Sequence, residues 1–392
     1  MRAQSSPLAG APFSKKHISS LDGLRGVAFL LVFFRHFGLT SHTTSPWLKF
    51  LTKITYAGWV GVDLFFALSG FLITGILLDT REDRRYFANF YARRALRIFP
   101  IYYATLGVLL LLTSLIHLQW QRGHIAYWMY LGNVAYNFDP SLSVLQPAVS
   151  FVHLWSLAAE EQFYLLWPLA VMMVASRRRL AFVCGWLSLA GLLLRLGLIA
   201  TLPRQNAYEW CYFQLPTHMD GLLYGALAAI CVRSMSLEYA IRRAGKILPF
   251  ALSALALVFG FNGFDFHSIA MMTAGFPALA AVFACIVLLA LKPGSRMHRF
   301  GNLKGLRFIG QYSYGMYLFH ILFLPGLARV QPWLQKHLHS IVLGGVCFVL
   351  LMFGATVGMA VLSYEVYEKQ WLKLKSRFAY EGHEKATREF AA

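Results

Sequence analysis

The sequence predicts an all-α protein: a polytopic membrane helix bundle of about ten transmembrane helices with both termini cytoplasmic. Three observations predict it. Of 392 residues, 58% are hydrophobic and 14% charged, and the mean hydropathy is +0.53; a soluble chain of this length has too little interior to hide so many apolar side chains. Apolar runs of about 20 residues, enough to span roughly 30 Å of hydrocarbon, recur along its length. Lys and Arg, which outnumber Asp and Glu by 36 to 17, gather in alternate loops, as the positive-inside bias requires.

The runs lie near 20–39, 59–78, 98–117, 155–175, 180–201, 217–232, 247–262, 268–291, 313–330 and 340–363. They divide the chain into an N-terminal tail (1–17), a transmembrane domain (18–364) and a C-terminal tail (365–392). Counting from the N-terminal tail, the basic segments hold Arg2, Lys15 and Lys16, then Arg81, Arg84, Arg85, Arg93, Arg94 and Arg97, then Arg177, Arg178 and Arg179. Later ones hold Arg233, Arg242, Arg243 and Lys246, then Lys292, Arg296, Arg299, Lys304 and Arg307, and finally the C-terminal tail. Such placement reads as topology and lipid headgroup contact, with no nucleic acid expected as a partner. Residues 1–17 lack an apolar core before a cleavage site, so no removable signal peptide is expected. Residues 124–138 are aromatic but too short to span, and are expected at the interface. The five cysteines (Cys184, Cys211, Cys231, Cys285, Cys347) form neither a disulfide framework nor a metal spacing.

Ionisable residues inside the runs single out the functional candidates, because a charge near the bilayer centre costs about 3 kcal/mol or more. In the first run, LDGLRGVAFLLVFFRHFGL, Arg25 and His36 are eleven residues apart. A helix sets them on one face, about 16 Å apart along its axis. The second run, GVDLFFALSGFLIT, brings Asp63 to a depth similar to that of His36; an aspartate beside an imidazole would fix its tautomer and make it a better base. Arg93, Arg94 and Arg97 in YARRALRIFPIYY stand at the cytoplasmic mouth of the third run, where guanidinium forks suit phosphate oxygens.

The fourth run opens HLWSLAAEEQFYLLWP, with His153, Ser156, Glu160 and Tyr164 at steps of three, four and four, one polar stripe. Glu161 points elsewhere, and Ser156 beside His153 reads first as a helix cap. Arg195, in LLLRLGL, needs a carboxylate partner such as Asp220 or a snorkelling path. Tyr312, Tyr314 and Tyr317 read as interface aromatics, His320 as a packed histidine on a carbonyl, and the small residues of GGVCFVLLMFGATVG as close helix packing.

LDGLRG with its Arg and His, GVDLFFALSGFLI, RRALRIFPIYY and HLWSLAAEEQFYLLWP, in that order, resemble the motifs of the membrane-bound acyltransferase 3 family, and HMDGLLYGALAA and GQYSYGMYLFH agree. The resemblance covers about residues 18 to 370. It implies transfer of an acyl group, commonly acetyl from acetyl-CoA, onto hydroxyls of surface carbohydrates such as lipopolysaccharide O-antigen, exopolysaccharide or peptidoglycan, with macrolides or other small molecules as alternative acceptors. It also implies a multi-pass protein of the bacterial inner membrane. Acyl-CoA is then a donor substrate; no permanently bound cofactor or metal is expected.

Carried over residue by residue, the resemblance makes Arg25 and His36 the essential pair and Asp63 the acidic residue of the second motif. Arg93, Arg94 and Arg97 become the donor-binding cluster, while Trp155, Ser156 and Glu160 match the WSL motif with its acidic residue. Glu160, Trp155 and Asp220 are expected on the acceptor side. A general-base route and an acyl-imidazole route at His36 remain equally open. The extra extracytoplasmic hydrolase-like domain of some relatives is expected to be absent. A transporter or flippase using the same ionisable residues predicts inverted repeats, which are not apparent in the sequence; a scaffold predicts indifference to loss of His36.

Overall fold

The computed structural model describes residues 18–38, 52–262, 265–327 and 329–380. Among them, ten helices of fifteen residues or more follow one another: α1 (Ser19–Phe37), α2 (Gly61–Asp79), α3 (Tyr86–Leu111), α4 (Leu154–Met173), α5 (Arg177–Thr201), α6 (Asp220–Ser234), α7 (Leu237–Asn262), α8 (Phe276–Ala290), α9 (Lys304–Phe319) and α10 (Ile341–Ser363). Each apolar run falls on one of them. A two-stranded antiparallel ladder, β1 (Val144–Leu145) and β2 (Val149–Ser150), interrupts the α3–α4 connection. The expected tail 1–17, the last residue of the first run and residues 381–392 of the expected tail 365–392 lie outside the described residues.

Three helices begin well before their apolar runs. α3 starts at Tyr86 rather than 98, α7 at Leu237 rather than 247, and α9 at Lys304 rather than 313. Each opens with basic residues on an amphipathic turn, which hydropathy counts as loop although the backbone is already helical. α9 also ends early, at Phe319, and the chain then turns at Ile321–Phe323 into a short helix, Leu324–Leu327. The segment 124–138 forms two short helices that leave Ile125, Met129, Leu131 and Phe138 exposed.

Among the described residues, six helical segments are long and apolar enough to cross a membrane: Thr52–Asp79, Tyr86–Leu111, Arg177–Thr201, Leu237–Phe261, Met271–Ala290 and Ile341–Phe378. The other four principal helices have a common physical explanation. α1 and α4 carry Asp22, Arg25, Arg35, Glu160 and Glu161, and α6 and α9 are short. All four pack against the protein interior, where polar side chains face a cavity rather than lipid. α3, α5, α7 and α10 form the outer shell, with a third or less of their apolar windows buried.

Close approach of helices occurs along α1, where Gly58 and Gly61 meet the carbonyls of Leu31 and Ala28, and in two further seams. α1 runs beside α9, and a Cβ at Gly310 would strike the carbonyl of Asp22, while Gly23 faces the backbone of Gly301. α2 packs on α6, where Gly70 meets the carbonyl of Leu222 and Gly225 that of Ala67. Backbone-to-backbone contact of this kind needs glycine. The expectation placed such packing on α10 too: it holds at Gly344, which faces the backbone of Gln335, but not at Gly354 and Gly358, which have no atom near an added Cβ. Replacing Gly310 by Leu is expected to lower the stability of the detergent-solubilised protein by about 1–3 kcal/mol or more, read as a fall in melting temperature, whereas Gly354→Leu leaves it near wild type.

Candidate active site

The α1–α9 seam sets the site, because the two helices run side by side and present polar residues at matching heights. Near their N-terminal ends lies a cleft of about 520 Å³, lined by Asp22, Arg25, Arg97, Lys304, Arg307, Phe308, Tyr312, Tyr314, Tyr364 and Glu368 among others. It carries four cations against two carboxylates. A narrower cavity of about 70 Å³ continues from it, sharing Arg25, Arg97 and Tyr314, and extends between α2, α3, α4 and α9 past Arg94, Glu160, Glu161, Tyr164 and Ser69 to Ser156 and Tyr317.

Hydrogen bonds organise the narrow cavity. Tyr164 Oη donates to Ser69 Oγ (2.9 Å), and Ser69 Oγ donates to Glu160 Oε1 (2.5 Å). The Arg94 guanidinium lies over the Tyr164 ring at 4.2 Å, and its buried Nε has no hydrogen-bond partner. Arg25 is 3.9 Å from Asp22. At the far end, Ser156 Oγ and Tyr317 Oη are 2.5 Å apart, and each also reaches the carbonyl of His153 at 3.2 Å.

Beyond Tyr317 stand three imidazoles. The Tyr317 and His320 rings are 5.3 Å apart, His320 and His36 5.0 Å, and His320 and His153 5.2 Å. His320 Nδ1 donates to the Tyr317 carbonyl at 2.7 Å, which leaves its Nε2 as an acceptor. His36 Nδ1 lies 2.9 Å from the Val32 carbonyl and 3.3 Å from His320 Nε2. Both neighbours accept, so the His36 proton sits on Nδ1 and the lone pair on Nε2. His36 is exposed while His320 is 1% accessible. An accessible Nε2 lone pair can take a hydroxyl proton or attack an acyl carbon.

The expected pairing of His36 with Asp63 is not found. Asp63 Oδ1 instead accepts from His218 Nε2 at 3.1 Å. His218 Nδ1 is 2.7 Å from the Tyr212 carbonyl, and its ring stacks between Trp155 and Phe276. Depth and rotation both differ from the expectation: Gly58 packs on Leu31 and Arg35 and Gly61 on Ala28, so Asp63 lies nearer the level of Ala28 than that of His36, and its carboxylate points at the Leu215–His218 turn. Three further candidates are taken up elsewhere. Trp155 is 6% accessible and packed on His218 and Phe66, so no face is free for a sugar. Asp220 is bonded to Arg195 Nη1 (2.5 Å) and Ser188 (2.8 Å), supplying the carboxylate Arg195 required. Arg93 holds the carbonyls of Lys375 and Phe378 and lies under the Tyr380 ring.

Arg25, Arg94, Arg97, Ser156 and Glu160 do converge on one cavity. Glu161 was expected to point away yet lines it too, because the cavity wraps a broad face of α4 from Ser156 to Tyr164. Tyr314 and Tyr317 face inward rather than the membrane interface, and Tyr312 lines the wide cleft. Their three-residue spacing with His320 is the signal that could have placed them on one α9 face.

A membrane-embedded helix bundle with a cationic cleft that continues into a cavity lined by Arg94, Glu160 and Tyr317, with His320 and then His36 beside Tyr317, is the framework of an acyltransferase domain. The chain belongs to the acyltransferase 3 family, whose model, described as an acyltransferase domain, matches residues 18–365. It is 29% identical to the peptidoglycan O-acetyltransferase OatA of Listeria monocytogenes over 91% of this chain and 56% of that protein. It is 28% identical to the O-acetyltransferase OatA of Staphylococcus aureus over 79% of this chain and 51% of the relative. The chain thus spans about half the length of these curated relatives. No solved structure matches it.

Proposed function

We propose that the protein is an O-acyltransferase that takes an acetyl group from acetyl-CoA on the cytoplasmic side of a bacterial membrane and delivers it to a hydroxyl of a cell-surface glycan. In this reading all ten principal helices cross the bilayer and both ends of the described chain face the cytoplasm. One observation carries it: a wide cationic cleft opens, through Arg25 and Arg97, into a narrow cavity ending at Tyr317, one ring from His320 and His36. That outline fits a donor with a bulky anionic head and a thin arm. The pantetheine arm has about twelve atoms, the backbone of about four extended residues, and so reaches about 14 Å. Arg25 and His36 are about 16 Å apart along α1, which places the sulfur near the histidines when the phosphates rest at the arginines.

The chemistry then balances at one nitrogen. His36 Nε2 takes the proton of the acceptor hydroxyl as its oxygen attacks the thioester carbonyl; the C–S bond breaks, and the imidazolium returns the proton to the leaving thiolate. The acceptor class is supported by the O-acetyltransferase relatives. The test is incubation of membranes with radiolabelled acetyl-CoA. Wild type is expected to label a glycan fraction, and His36→Ala to label it at least about a hundredfold more slowly. Equal labelling by the variant, or glycan movement without consumption of acetyl-CoA, overturns the reading.

A further inference from the structure

We infer that Tyr317 is a catalytic residue whose hydroxyl binds the oxyanion formed on the thioester carbonyl, with Ser156 directing it. The inference rests on the acyltransferase reading above and adds a group which that reading does not use. Tyr317 lines the narrow cavity beside Ser156 and is 6% accessible. Its ring stands 5.3 Å from His320, the imidazole that touches His36. A thioester carbonyl seated where Ser156 and Tyr317 line this cavity has the Tyr317 hydroxyl as a neighbour, with His320 and then His36 beside it.

The hydrogen bonds around that hydroxyl leave it a proton to give. Ser156 and Tyr317 bring two O–H donors, and the acceptor outside the pair is the His153 carbonyl, 3.2 Å from both oxygens. One hydroxyl donates to His153 and the other to its partner across 2.5 Å. When Ser156 satisfies His153, the Tyr317 proton can turn to an oxygen in the cavity with no buried group left unpaired. Attack converts the carbonyl to an oxyanion that accepts from Tyr317 Oη. Collapse re-forms the carbonyl as the C–S bond breaks, and Tyr317 keeps its proton throughout. A donor already aimed at the developing charge acts without reorganisation in a dry site, where loss of one such donor costs about 10²–10³ in turnover.

The experiment measures kcat and KM for radiolabelled acetyl-CoA in proteoliposomes of the full chain, with solubilised cell-wall glycan as acceptor. Tyr317→Phe is expected to lower kcat about a hundredfold with KM for acetyl-CoA within threefold of wild type and an unchanged melting temperature. Ser156→Ala is expected to lower kcat less. Replacing Tyr317 with 3,5-difluorotyrosine, which keeps the shape and donates more strongly, is expected to hold kcat at or above wild type. Wild-type kcat in Tyr317→Phe overturns the inference, as does a loss appearing only in KM or in melting temperature. If wild type itself transfers no acetyl group, the acyltransferase reading falls and the inference with it; if wild type is active, His36→Ala is dead and Tyr317→Phe is normal, only the oxyanion role falls.

Discussion

His320→Ala is expected to reduce acetyl transfer by about 10²–10³-fold through kcat, with KM for acetyl-CoA little changed, although His320 itself is too buried to meet substrate. Its Nε2 is 3.3 Å from His36 Nδ1, while its own Nδ1 is held by the Tyr317 carbonyl. This arrangement gives His36 a second acceptor on the nitrogen opposite the reacting one, the part that the sequence assigned to Asp63. An acceptor there holds the tautomer with Nε2 free and stabilises the imidazolium while the proton is in transit. His320 is therefore a positioning residue, and its loss should not add to that of His36. The double variant His36→Ala/His320→Ala is expected to be no slower than His36→Ala alone, because groups acting as one unit are strongly non-additive. His320→Gln, which can place an amide oxygen near the lost Nε2, is expected to retain activity within about tenfold of wild type. If His320→Ala and His36→Ala multiply instead, or if Gln rescues no better than Ala, the two imidazoles work independently.

How much of this could be read from the chain follows from what a periodicity encodes. The Arg25–His36 face was legible because 3.6 residues per turn fixes the relative direction of two side chains on one helix. The ten helical segments were legible because hydrocarbon thickness sets a length. Rotation between helices has no such code. Asp63 and His36 were expected at matching depth, yet Asp63 lies near the level of Ala28 and turns towards His218, while His36 turns towards His320. Trp155 illustrates the same limit: an aromatic beside a polar stripe suits a sugar, but here its face is covered by His218. Tyr317 was noticed and given a bland role, since an interior surface and a lipid interface both favour amphipathic aromatics; His320 was read as a packed histidine on a carbonyl, and it is one, on that of Tyr317. The partner of Arg195 was legible for a different reason, the cost of an unpaired charge in hydrocarbon, which leaves few solutions.

That pair carries the largest expected effect on stability. Arg195 is fully buried in α5, where Nη1 donates to Asp220 Oδ2 (2.5 Å) and to the Thr217 carbonyl (2.6 Å), while Ser188 donates to the other carboxylate oxygen. Asp220→Ala leaves a guanidinium in an apolar setting, and breaking a buried pair from one side costs about 3–5 kcal/mol. Most of the variant is expected to be lost to aggregation in detergent, seen as a collapsed monodisperse peak and a much lower melting temperature. Arg195→Met/Asp220→Leu removes both charges at similar volume and is expected to recover most of that stability, since the pair must offset two desolvation penalties. His218 and Asp220 sit within one turn, so Asp63–His218 and Arg195–Asp220 pin the same segment to α2 and α5. Loss of either should weaken the other, and their stability effects should couple rather than add. Transfer activity separates this structural role from the acceptor-binding role first assigned to Asp220. The charge-free double variant is expected to keep kcat and KM for the glycan near wild type; a folded double variant with a raised glycan KM would return Asp220 to the acceptor site.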